Sequence, residues 1–60
     1  MDRVHRSQLR EILLQLTELK NSIKAIHWEV GEKIPVEQSI TIHKATASLQ
    51  DTIGHLTEVI

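Results

Sequence analysis

Residues 9–31 read LREILLQLTELKNSIKAIHWEVG. Apolar side chains fall at Leu9, Ile12, Leu16, Leu19, Ile23, Ile26 and Val30, in alternating steps of three and four. A helix turns once every 3.6 residues, so this spacing lines the seven side chains along one face, the a/d pattern of a helix packed lengthwise on another helix. Leu13 broadens the stripe on one side. Lys20 and His27 follow it at seven-residue intervals and make that flank increasingly polar. The pattern predicts a first helix over about residues 4–30, ended by Gly31, which is suited to the positive φ of a helix C′ position.

The second half repeats the pattern less strongly. Ile42, Thr46, Leu49, Ile53, Leu56 and Ile60 are spaced by four and three, with Thr46 as the weak position. Glu37, Lys44, Asp51 and Glu58 recur every seven residues on the opposite side, which marks an outward face because charges are rarely buried unpaired. Between the halves, residues 31–35 form a short break. Pro35 suits the first position of a helix, where its missing N–H costs nothing, and its ring disfavours helix at Ile34. Ile34, Val36, Gln38, Ile40 and Ile42 also show a period-two spacing that would read as a short strand if taken alone. A lone strand has no partner elsewhere in the chain, so helix from about 36 to 60 is expected.

The fold expected is therefore all-α: one antiparallel helical hairpin, since a short connection favours antiparallel neighbours. With 60 residues, no cysteine and two glycines, one domain is the limit, and neither disulfides nor cysteine-ligated metal can brace it. A single pair of helices has one mutual face and leaves much of each apolar stripe wet. Small chains without disulfides or metals usually need further burial. Two hairpins pairing into a four-helix bundle would supply it, with Leu9, Ile12, Leu16, Leu19, Ile23, Ile26, Val30, Ile42, Leu49, Ile53, Leu56 and Ile60 as the oligomer interface. The stripe runs to the last residue, which fits an N-terminal fragment of a longer chain or a C-terminus docked in a dimer; Met1 favours a whole small protein.

Function is less marked. Trp28 lies largely away from the seam, as does Leu14 two heptads earlier. The structural expectation for Trp28 is that it folds against Ile34, Pro35 or Val36 at the turn; the functional one is a protein-partner anchor shared with Leu14, since tryptophan is enriched at interface hot spots. The histidines, His5, His27, His43 and His55, form no cluster with the two-to-four-residue spacing of a zinc site. His27–Gly31 resembles a five-residue tract of ferritin-like iron-binding proteins, but the later acidic ligands are missing and the chain is far too short for that fold. No metal, no cofactor and no catalytic residue is assigned: a nucleophile motif and an oxyanion site are lacking.

The net charge is −1, with six basic and five acidic residues in 1–35 against one and three in 36–60. Arg3, Arg6 and Arg10 give the first turns a basic side and are the candidate nucleic-acid phosphate contacts. The net charge and the lack of a second basic stripe or an aromatic stacking set weigh against that role. No apolar run is long enough to span a bilayer, the outer faces are too acidic for a membrane-surface helix, and no signal peptide is readable. The expectation is a cytoplasmic, homodimeric helical module that binds or regulates a protein partner, with a small nucleic-acid-binding regulator as the alternative.

Overall fold

The computed structural model describes residues 2–60. Two helices, α1 (Arg3–Val30) and α2 (Val36–Val59), pack against each other as a hairpin. Asp2 caps α1: its Oδ1 accepts the His5 backbone N–H at 2.9 Å and its carbonyl accepts the Arg6 N–H at 3.1 Å. Two of the donors that a helix start leaves unpaired are satisfied in this way. The carboxylate also lies 3.1 Å from His5 Nδ1.

The break differs from expectation in two details. Gly31 does not take a positive φ but stays near helical geometry at φ −56° and ψ −32°. The chain leaves α1 by a tight i→i+3 turn, Lys33 N–H to the Val30 carbonyl at 2.8 Å, rather than by a left-handed cap. Glycine is still required there, because a Cβ on Gly31 would stand 2.9 Å from the His27 carbonyl oxygen. Pro35 is not the first helical residue but the one before it. Its ψ of 149° is extended, and its carbonyl accepts the N–H groups of Gln38 and Ser39 at 3.0 and 3.1 Å. The period-two stretch from Val36 onward is helix.

The half-buried residues give the register. On α2 they are Ser39, Ile42, Thr46, Leu49, Ile53, Leu56 and, just past the helix, Ile60. On α1 they are Leu9, Leu13, Leu16, Thr17, Lys20, Ile23, His27 and Val30. Residues equally far from the turn stand opposite one another in an antiparallel pair, which places Leu13 level with Leu56, Leu16 with Ile53, and Ile23 with Thr46. Two polar bridges hold this register nearer the turn: Lys20 Nζ donates to Gln50 Oε1 at 2.7 Å, and His27 Nε2 lies 2.6 Å from Ser39 Oγ. Thr46 is tolerated in the seam because its hydroxyl donates to the Ile42 carbonyl at 3.0 Å, leaving its methyl group to pack.

Two helices side by side make one layer, and the backbone extents of 46 × 16 × 9 Å show it. The radius of gyration is 14.3 Å, against roughly 10 Å for a compact domain of this length. None of the described residues is buried. No helix is long and apolar enough to cross a membrane.

Candidate functional site

Helical rotation of 100° per residue sorts the side chains of α1 into columns, and the contacts with α2 show where each column points. Leu9, Leu16, Ile23 and Val30 form the column shared by both flanks of the stripe, and all four are half-buried. Of the two flanks, α2 covers the one that becomes polar: Leu13, Lys20 and His27. The wholly apolar flank turns outward. Ile12, Leu19 and Ile26 expose 45%, 56% and 59% of their surface.

These three side chains have neighbours on α2. The Lys20–Gln50 bond marks one broad side of the hairpin, so the flank of α2 away from Gln50 lies on the same side as Ile12, Leu19 and Ile26. That flank is Ala45, Thr52 and Val59, all exposed. By the register above, Ile26 stands within two residues, about 3 Å, of the level of Ala45, as do Leu19 of Thr52 and Ile12 of Val59, three rungs across one face. Thr52 donates its hydroxyl to the Ser48 carbonyl at 3.0 Å, so it too presents a methyl group. The bordering residues are Gln8, Gln15, Ser22 and Glu29 on α1 and Thr41, Ser48 and His55 on α2, so Glu29 at the turn end is the one lysine, arginine, aspartate or glutamate among them.

The opposite broad side is polar. At the turn end it carries an open concavity lined by Lys20, Lys24, His27, His43, Gln50 and Trp28 together with Glu29 and Glu32. Arg3, Arg6 and Arg10 stand on the same side of α1 as Lys20 and Lys24, since 3, 6, 10, 13, 17, 20 and 24 form one series of three- and four-residue steps. The basic side of the first turns therefore continues along the helix. Lys20 and Lys24 do not stand out when charge is summed along the chain, and the signal that marks them is the three- and four-residue spacing from Arg10 through Leu13 and Thr17.

Trp28 does not fold over the turn. It exposes 90% of its surface, because its column points away from α2 and the residues of the turn do not reach back to it. Leu14 is exposed on the same column, but fourteen residues of helix, about 21 Å, separate the two. They are two separate points on the surface, too far apart to be one patch. Among the described residues no three histidine, aspartate or glutamate side chains converge as a metal site would require. Comparison with protein-family models, with curated proteins and with solved structures gives no match.

Proposed function

We propose that the protein is a helical assembly module whose functional unit is a homodimer, formed by packing the Ile12–Leu19–Ile26 faces of two hairpins into an antiparallel four-helix bundle. The observation that carries this reading is the outward placement of the wholly apolar flank of α1 in a molecule one helix thick. Stable domains bury an apolar face against a second layer, and this chain has only one. The area agrees. The chain exposes 4938 Å², roughly 900 Å² more than a folded monomer of 6.9 kDa is expected to show. A standard interface covers about 800 Å² on each partner.

A two-fold axis suits the arrangement, because the same rungs are presented by both copies. The bordering glutamines, serines and threonines are uncharged and Glu29 is the one acid among them, so pairing rests on the fit of Ile, Leu, Ala and Thr side chains more than on a charge code. The role that follows is binding rather than catalysis: a cytoplasmic scaffold or regulator acting on another macromolecule through the surfaces left outside the bundle. For a protein partner Trp28 is the natural anchor. The test is molecular mass by sedimentation equilibrium from low to high micromolar concentration, with helix content followed alongside. The expected result is a mass twice the 6.9 kDa of the chain, with helicity falling as the dimer dissociates. A stable helical monomer throughout the range overturns the reading.

A further inference from the structure

The second broad side of the hairpin carries an inference of its own, which requires no residue from a second copy. We infer that the column Arg3, Arg6, Arg10, Lys20 and Lys24 is a docking surface for the phosphate backbone of a nucleic-acid duplex. Five of the seven lysines and arginines of the chain stand on this one column, so a net charge of −1 hides a strongly one-sided distribution. Of the carboxylates of α1, Glu11 and Glu18 are about 100° further round the helix, while Glu29, with Glu32 of the turn, lines the concavity beside Lys20 and Lys24. The side chains of α2 bordering this side, His43, Gln50 and Thr57, include no acid.

The cations are also free to act. Among the described residues the one side-chain contact of ion-pair length is that of His5 with Asp2, so none of the five cations is paired with a carboxylate within the hairpin. Lys20 is held by neutral Gln50, which fixes its direction and leaves its charge intact. Arg3, Arg6, Arg10 and Lys24 are exposed.

Spacing points to a duplex. The column falls into two clusters, Arg3–Arg6–Arg10 and Lys20–Lys24. At 1.5 Å per residue Arg10 and Lys20 are about 15 Å apart, slightly more than the roughly 12 Å width of the major groove of B-form DNA. A straight helix laid across that groove would set one cluster on each bordering strand. Inside the gap the column carries Leu13 and Thr17, both half-buried against α2, so little apolar side chain is offered there for insertion into lipid, which a membrane-surface helix requires. The apolar face of the hairpin is on the other side.

The experiment is fluorescence anisotropy of a labelled 30-base-pair DNA duplex titrated with the full chain between 50 and 200 mM salt. The same titrations are run on an RNA duplex, a single strand and phosphatidylserine vesicles. The emission of Trp28, one helical turn from Lys24 and the sole tryptophan, gives a label-free second reading. With five phosphates neutralised per chain, affinity should fall about 500-fold across that range. In R3Q/R6Q/R10Q, where two cations remain, the fall should shrink to about 12-fold. K20Q/K24Q should give an intermediate value, and K44Q, which removes a cation from the opposite side of α2, should leave the salt dependence unchanged. Glutamine keeps these helical positions helical, and circular dichroism verifies that each variant is folded, including K20Q/K24Q, which loses the Lys20–Gln50 bond. Binding to either duplex with that ordering of variants supports the inference, and the tighter of DNA and RNA identifies the source. Absence of duplex binding at 50 mM salt, equal loss in K44Q, or preference for the single strand or the vesicles overturns it.

Discussion

Leu19 and Lys20 are neighbours in the chain with opposite fates. Lysine is half-covered by α2 and bonded to Gln50 across the hairpin, whereas leucine is 56% exposed. The same inversion recurs one heptad away, where His27 is half-buried and Ile26 is exposed. A helix folding for its own sake would turn the leucine and isoleucine inward. The contact between α1 and α2 thus covers the flank of Leu13, Lys20 and His27 and leaves Ile12, Leu19 and Ile26 exposed, the flank that the proposed dimer would cover. Lysine tolerates the inner place because its aliphatic stem can lie along apolar surface while its ammonium reaches the edge.

The largest expected effect comes from breaking the outer flank. Leu19→Glu places a charge in the middle rung, and two-fold symmetry inflicts the change twice. Full burial of a leucine contributes about 1.5–3 kcal/mol, and a partner can cover only the 56% of Leu19 that is exposed, so losing two weakens the proposed dimer by about 2–3 kcal/mol. Since each 1.4 kcal/mol is tenfold in affinity, the dissociation constant should rise by a factor of about 30–100. Sedimentation reads this directly. Association as tight as that of the parent would mean that Leu19 lies outside the interface, and the comparison between the flanks would lose its functional meaning.

Much of the fold was legible in the sequence, for identifiable reasons. The 3–4 stripe of α1 and the α2 seam at Ile42, Leu49, Ile53 and Leu56 follow from helical rotation alone, and Pro35 marks the break because its ring excludes helix from the residue before it. The choice between the two flanks of α1 was not legible. Leu9, Leu16, Ile23 and Val30 belong to both, and counting apolar residues favours Ile12, Leu19 and Ile26 over Leu13, Lys20 and His27. The flank covered depends on the direction in which α2 leaves the turn from Gly31 to Pro35, a backbone property of a segment closed by the Lys33 to Val30 bond and not written in the apolar stripe. The basic column escaped for another reason: charge was summed by segment, and it is organised by angle.

The inner flank supplies the converse prediction. Lys20→Leu removes an exposed hydrogen bond, of small net value in water, and adds apolar contact opposite Leu49. The hairpin should gain about 0.5–1 kcal/mol, raising the melting temperature by several degrees for a domain of this size when compared at equal protein concentration. Dimer mass should not change, while binding to a duplex should lose the share of its salt dependence owed to one cation. A drop in stability would show that the Lys20–Gln50 bridge contributes more to register than the packing that replaces it.

The smallest effect tests the comparison from the far side of the molecule. Gly54 sits within α2, where glycine costs about 0.8–1 kcal/mol relative to alanine, and a Cβ built there meets nothing within 4 Å. Its column is that of Ile40 and Ala47, on the polar side of the hairpin beyond Gln50. Gly54→Ala should therefore stabilise by up to about 1 kcal/mol in thermal melts and leave the dimer mass as it was. If two hairpins met through the polar side instead, the added methyl group would fall in or beside the interface, and alanine would change association along with stability. A gain in stability with unaltered assembly thus removes the polar side as the contact, independently of any residue in the face of Leu19.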